Sequence, residues 1–515
     1  MLPMSDGVKL ATDVHLPAGD GPFPVILART PYNKNRRGAA GWVRRGYAVV
    51  QQDMRGRFGS EGENVPFIGC GWAKYRDGAE TLDWIRRQPW CGGKVGTHGG
   101  SAGGITQNLL AAAGCKGLTC QYVVVAAASL YHHAAYPGGA LRQSQVVGWM
   151  TANRFDPKAL VLYAAHPDYD AFWRGFDAVG RAEKVAAPAV HVGGWFDTFS
   201  QGTVDAFVSR QTRGAPGARG AQKLVMGPWA HGRLPGGRVG ELRFPRALPP
   251  RKYSAAAWFD CHLKGRRNGV RDLPAVAYYV MGDTAGGRDA PGNEWRYAKA
   301  WPVPATDTPY HLHPGGRLDA ARPPASDGKP TRVSYTFDPT KPCPTVGGCN
   351  LMLPKGPMDQ RKVESRKDVL CFTTDPLTAP VEVTGNVRAR LFVACSAADT
   401  DLSVRFCDVY PDGASYLMAE GMLRLRYRDG FARPTPLKPG EVVEATVTCW
   451  PTSVVINEGH RIRVSITGSN APRFDVNPGT GRPWRPGCRT VLQAVGIYCD
   501  GDHPSRVILP VVAAK

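Results

Sequence analysis

No stretch of this sequence is long and apolar enough to read as a membrane span. The longest uncharged run, Gly117 to Leu141, contains Gln121, His132, His133 and Pro137, so it reads as a buried strand followed by a loop. None of the 13 cysteines pairs at CxxC spacing, which removes zinc ribbons and dithiol redox sites. An odd number spread over the chain is no disulfide framework either. Cys343 and Cys349 are near enough in sequence to bridge, yet read best as independent thiols. The opening Met1-Leu-Pro-Met-Ser-Asp-Gly-Val-Lys has the chemistry of a turn and a strand, not of a signal peptide. The expected location is cytoplasmic, unless a leader precedes it. There is no internal repeat and no low-complexity segment. Acid is also missing locally: no Asp or Glu lies between Asp83 and Asp156, or from Ala206 to Gly240.

What is present is a globular composition, 43% hydrophobic and 21% charged over 515 residues, which excludes disorder as the main state. At about 150 residues per domain the length suggests roughly three folding units. The net charge is +21, and it is uneven: residues 1–300 hold 38 basic and 22 acidic side chains, residues 301–515 hold 26 and 21. Such an excess raises the question of an anionic partner. However, no nucleic-acid-binding motif accompanies it and the basic residues are dispersed.

Val8–Leu16 and Phe23–Ala28 form a strand-turn-strand opening across Gly-Asp-Gly-Pro. Tyr47–Gln52 and Lys94–His98 are short apolar strands of the kind buried on both faces. Gly78–Gln88 and Ala102–Ala113 have helical patterning. Strands alternating with helices predict a doubly wound α/β domain, and Ala189–Val192, Lys223–Met226 and the helix Ser254–Leu263 continue it. Between them, Tyr122–Ala187 breaks into short apolar pieces and reads as a helical insertion. After Trp301 the pattern becomes short strands with turn signals, among them Val387–Val393, Ser403–Val409 and His460–Thr467, which predicts an all-β sandwich or jelly-roll.

One motif carries chemistry. Thr97-His-Gly-Gly-Ser101-Ala-Gly-Gly contains G-x-S-x-G, with a strand before it and a helix after it. That context is what a nucleophile elbow requires: a sharp strand-to-helix turn holds the serine in a strained conformation, and glycines make room for it. A serine nucleophile needs a histidine base and a carboxylate to orient that base. Asp197 and His231 each follow a predicted strand, in the order this architecture uses. A capping aspartate and a surface histidine are the plainer alternatives. The pair His132-His133 lacks a third ligand at useful spacing and is read as two pocket or lid histidines, not a metal site.

Several separated segments then agree with one family. Arg29-Thr-Pro-Tyr32-Asn-Lys, Gln52-Asp-Met-Arg-Gly-Arg-Phe-Gly-Ser-Glu-Gly, Trp90-Cys-Gly-Gly-Lys-Val-Gly, Gly194-Trp-Phe-Asp197, Gly227-Pro-Trp-Ala-His231 and Gly356-Pro-Met-Asp-Gln-Arg occur in order. The chain resembles the cocaine esterase-type serine hydrolases, which include X-Pro dipeptidyl-peptidases and α-amino acid ester hydrolases. The resemblance implies Ser101 as nucleophile, His231 as base and acid, and Asp197 as orienter. It further implies an oxyanion hole made by the Ala102 N–H and the Tyr32 hydroxyl, and substrate contacts from Trp149, Phe199 and Trp195. Asp53, Arg55 and Glu61 would brace the loop beside Tyr32. The insertion is short for the family, and Tyr131–Tyr136 stands where a tryptophan is usual, so acyl specificity does not transfer.

The expected architecture is an α/β-hydrolase core (1–121 and 188–302), a helical lid (122–187) and a C-terminal galactose-binding-like jelly-roll (303–515), with no cofactor and no metal. The expected reaction is hydrolysis of a small-molecule carboxylic ester through an acyl-enzyme on Ser101. Peptidases and acylases of the family must neutralise a substrate ammonium, and the first half of the lid has no carboxylate for it; Asp156, Asp168, Asp170, Asp177 and Glu183 remain. The arginines and lysine from Arg210 to Arg238 favour neutral or anionic acyl groups, unless they are only solvated surface. The alternatives are X-Pro peptidase or α-amino acid ester or amide hydrolysis and, remotely, a non-catalytic basic binding protein. No nucleic-acid or membrane partner is expected, and a homodimer is compatible with the chain.

Overall fold

The structure is a computed structural model that describes all residues except 37, 233, 287–289, 327, 484–486 and 514–515. The apolar runs of the first 300 residues assemble into one nine-stranded sheet. Its order is Glu294–Ala298, Val276–Val280, Lys223–Ala230, Ala189–Phe196, Leu118–Val124, Cys91–Gly100, Phe23–Thr30, Ala48–Asp53 and Thr12–His15. The seven inner strands run parallel, and the strand at each edge is antiparallel. Strands buried on both faces need apolar side chains throughout, and Ala189–Phe196 and Lys223–Ala230 are buried at every position. Helices Asp77–Arg86, Ala102–Ala112, Ser200–Arg213 and Ala255–His262 cover the sheet. This is the α/β-hydrolase architecture.

Short helices, among them Gln143–Ala152, Pro157–Ala164 and Ala171–Arg174, form an insertion between the strands Leu118–Val124 and Ala189–Phe196. The run Tyr122-Val-Val-Val, expected to open that insertion at 122, instead completes a core strand through Val124. Val123 and Val124 pair with His191 and Val192, so the chain leaves the sheet about three residues later. An apolar run looks the same at the end of a parallel strand and at the start of a lid.

The C-terminal part is an antiparallel sandwich. One sheet centres on Thr306–Leu312, Arg506–Val512, Arg388–Cys395, Gln493–Tyr498 and Arg332–Phe337; the other is Val369–Thr373, Arg461–Thr467, Asp401–Val409 and Ser415–Arg424. Strands Thr306–Leu312, Val369–Thr373, Thr452–Ile456 and Gln493–Tyr498 are additions to the sequence reading. Alternation is weak where both faces are covered, and Thr452–Ile456 is buried throughout. Met281, at the end of a core strand, exchanges backbone hydrogen bonds with Ser453 and Val455. One apolar cluster runs from Trp195, Phe207, Met226 and Tyr279 into Leu391, Val404 and Ile497, so part of the hydrolase core is continuous with the interior of the sandwich.

Candidate active site

Strand Cys91–Gly100 ends and helix Ala102–Ala112 begins with one residue between them, Ser101, at φ 55° and ψ −124°. A non-glycine residue holds such a conformation only where its surroundings fix it. The Ser101 N–H donates to Val124 O at 2.9 Å. A Cβ at Gly99 would lie 2.9 Å from Gly103 O, whereas one at Gly103 would have only ordinary contact with Arg29 O at 3.5 Å. The first glycine of the motif is therefore the one the turn demands. Ala102 opens the helix, so its N–H is among those with no acceptor inside it.

Asp197 and His231 sit one residue beyond the ends of the adjacent strands Ala189–Phe196 and Lys223–Ala230. The fully buried Asp197 carboxylate accepts from Phe199 N–H at 2.7 Å and lies 2.7 Å from His231 Nδ1. His231 Nε2 is 3.0 Å from Ser101 Oγ. One imidazole thus bridges hydroxyl and carboxylate, the arrangement that lets it take the serine proton while the carboxylate fixes its tautomer.

Tyr32 faces the same cleft. Its phenol oxygen accepts from the Trp149 indole N–H at 2.8 Å, which turns the hydroxyl proton away from Trp149. Trp149 is itself stacked on Phe67 at 5.9 Å and packs on Phe155 at 4.8 Å. The loop carrying Tyr32 is held from both sides. Asp53 accepts from Lys34 N–H at 2.7 Å, and Arg57 donates to Pro31 O, Asn64 Oδ1 and the carbonyls of Asn153 and Arg154. The expected network of Asp53, Arg55 and Glu61 is corrected here. Arg55 pairs with Asp77 at 2.6 Å and with Asp6 at 2.7 Å, Glu61 accepts from Lys9 N–H, and the brace is Arg57, whose fork can reach several carbonyls at once.

Ser101, Ala102 and Tyr32 line a cleft of about 470 Å³ whose walls include Trp149, Phe199, Ile105, Val146 and Leu351. Among the described residues no charged side chain lines it. Trp195 does not reach it, contrary to expectation. Its ring is buried 5.6 Å from Trp301, and its indole N–H donates to Tyr279 O at 2.7 Å. On a strand buried on both faces, alternation sends Trp195 to the shared core. Leu351 was missed; it comes from the sandwich half of the chain, just before the Gly356-Pro-Met-Asp motif. Lys355 on the same loop donates to His231 O at 3.2 Å and to Leu351 O at 3.0 Å. Arg142 of the insertion donates to Thr198 O at 2.7 Å and Cys349 O at 2.6 Å, joining insertion, acid loop and sandwich loop.

The histidine pair divides. His133 lies 2.9 Å from Asp205 and accepts from Ser129 N–H, while His132 packs between Tyr169 and Phe431. Burial pushes His132 down to about 4. Among the described residues no group of three His, Cys, Asp or Glu is placed to hold a metal ion, and no helix is long and apolar enough to cross a membrane.

Residues 6–158 and 151–233 match the family model of X-Pro dipeptidyl-peptidase (S15 family), and residues 268–508 match that of the X-Pro dipeptidyl-peptidase C-terminal non-catalytic domain. The chain is 35% identical over 580 aligned residues to cocaine esterase of Rhodococcus sp. (strain MB1 Bresler), covering 99% of this chain and 98% of the relative. The chain belongs to the cocaine esterase family. Two solved structures share the whole architecture of this family member. An aminopeptidase from a marine sediment Thaumarchaeota archaeon has TM-score 0.83 and 26% identity, covering 100% of this chain and 96% of that one. An α-amino acid ester hydrolase has TM-score 0.80 and 26% identity, covering 99% and 96%. Family membership makes the chain a serine hydrolase of the esterase class.

Proposed function

We propose that the chain is a serine carboxylesterase that forms an acyl-enzyme on Ser101, and that it prefers esters of neutral, apolar acids. The supporting observation is the hydrogen-bonded line Ser101–His231–Asp197 at the floor of a cleft that has no charged wall among the described residues. Ser101 Oγ attacks the ester carbonyl carbon as its proton passes to His231 Nε2. The tetrahedral oxyanion receives hydrogen bonds from the Ala102 N–H and the Tyr32 hydroxyl. Collapse breaks the bond to the alcohol oxygen, which takes the proton back from His231. Water then repeats the sequence on the acyl-enzyme and releases the acid.

The preference differs in part from the sequence expectation. Arg210 is buried against Gln121 and Asn108, Arg213 and Arg219 bond backbone carbonyls, and Lys223 bonds Arg271 O and Leu273 O. None lines the cleft, so they supply no reason for an anionic acyl group; Arg233 lies outside the described residues. Of the remaining carboxylates, Glu183 is exposed on the short helix Ala182–Lys184 and is not among the residues lining the cleft, and the four aspartates are committed. Asp156 and Asp170 cap helices, Asp168 accepts from Tyr427, and Asp177 accepts from Tyr169. An ammonium entering the cleft would be desolvated without a partner, which is unfavourable by several kcal/mol. Fluorophosphonate labelling followed by a panel of neutral, anionic and free-amine esters tests the reading. Labelling lost in Ser101→Ala, with neutral esters hydrolysed fastest, is expected; a clear preference for free-amine esters or amides would move the chain to the aminopeptidase and α-amino ester branch.

A further inference from the structure

A second cleft, of about 970 Å³, lies where the insertion meets the sandwich, bounded by His132, Tyr427, Phe431, Thr448, Trp450 and Arg473 among others. Ala134 and Ala135 line the cleft over Ser101, so the two cavities lie on either side of one turn of the insertion. The charge around the second cleft does not balance. Arg142, Arg405 and Arg473 are 1%, 1% and 3% exposed. Glu420 pairs with Arg473, but it also accepts from Cys349 N–H and Asn470 Nδ2. Arg473 Nε and Arg405 Nη1 are buried with no hydrogen-bond partner among the described residues. Burial and the neighbouring Arg142 and Arg405 charges push the Arg473 guanidinium well below the ordinary arginine range. Nearby acids are engaged: Asp168 with the Tyr427 hydroxyl, Asp429 with Arg428. Three buried guanidinium groups set against the one Glu420 carboxylate are costly unless a further anion joins them, and Arg473, the one of the three that lines the cleft, is where its oxygens would bind.

We propose that this cleft is a second binding site, for a carboxylate carried on a flat apolar group. Arg473 would hold the carboxylate, with Arg428 at the rim, while Trp450 and Phe431 offer ring faces to the rest of the ligand. His132, kept neutral by burial, does not add to the charge. Two side chains link the site to the catalytic machinery, and Glu420 is one of them, through the Cys349 N–H. Arg142 is the other: it lies 4.7 Å over the Trp450 ring and donates to Thr198 O, beside Asp197, to Cys349 O, on the loop that carries Leu351, and to His133 O.

Calorimetric titration of the full chain with benzoate, and with benzamide as its uncharged counterpart, tests the proposal. Thr448 is exposed on its strand, so Thr448→Trp should fill the cleft without disturbing the buried arginines, whereas Arg473→Met removes the anchor itself. Saturable benzoate binding, no benzamide binding, and weakening by more than about tenfold in both variants are expected, since a charge-assisted contact accounts for at least that factor. No saturable benzoate binding, or equal binding of benzamide, would overturn the proposal. So would unchanged binding in Thr448→Trp, which would place the benzoate over Ser101 instead.

Discussion

Tyr32→Phe is the sharpest test of the proposed site because it removes one oxygen and leaves the ring. The phenol oxygen is positioned by the Trp149 indole N–H at 2.8 Å, on a ring held by Phe67 and Phe155. A donor aimed at the oxyanion in this way contributes about 2.7–4 kcal/mol to the transition state. At about 1.36 kcal/mol per decade, kcat should fall by about 10²–10³. The change also leaves the half-buried Trp149 N–H without its acceptor, a penalty of about 1–3 kcal/mol in a dry site and less with water near. Stability should therefore move far less than rate. Steady-state hydrolysis of a p-nitrophenyl ester gives the first quantity and urea unfolding the second. Trp149→Phe, which keeps the phenol but frees its orientation, should give a smaller loss of kcat. A fall below about threefold in Tyr32→Phe would remove Tyr32 from the oxyanion hole, because a full donor accounts for far more.

Asp197→Asn should lower kcat by about 10⁴ with little change in KM, because the amide favours the wrong tautomer of His231; pre-steady-state acylation of Ser101 measures it. Gly99→Ala should cost about 10² in rate, since a Cβ 2.9 Å from Gly103 O displaces the elbow and small misplacements have effects of that order. Gly103→Ala, with 3.5 Å to the nearest atom, should cost much less, and equal losses would refute the steric account. Burial holds His191 at about 3, against about 6.5 in an unfolded chain. As pH falls through that window the unfolded state takes up a proton the folded state refuses. This group's contribution is therefore complete above about 6.5 and is lost at about 1.4 kcal/mol per pH unit below it. Urea midpoints at about pH 7 and about pH 4.5 should show the slope, and His191→Gln should flatten it.

The elements that carry Ser101, Asp197 and His231 were legible because each follows a short apolar run, and turn chemistry marks where such runs end. Ser101 had the added signal of two glycines and a helix behind it. The side on which a strand residue points was not legible: Trp195 stands two residues from Asp197, yet its strand is apolar on both faces and so carries no phase. Leu351, Lys355 and Arg142 were hidden for a different reason. Their roles depend on loops from three parts of the chain meeting, and long-range contacts of single side chains leave no periodic trace. Arg210, Arg213, Arg219 and Lys223 could not be placed for the same reason, since charge density along the sequence does not say which face of the sheet receives it.

The interior shared by sheet and sandwich has a consequence for how this enzyme can be taken apart. Trp195, two residues from Asp197, lies in the same apolar cluster as Leu391, Val404 and Ile497, so severing the sandwich would expose the underside of the acid loop to water. The sandwich is thus no appendage that a shortened or chimeric enzyme could shed or exchange. The two halves should melt together, and loss of activity on heating should track unfolding of the β part as closely as that of the hydrolase sheet.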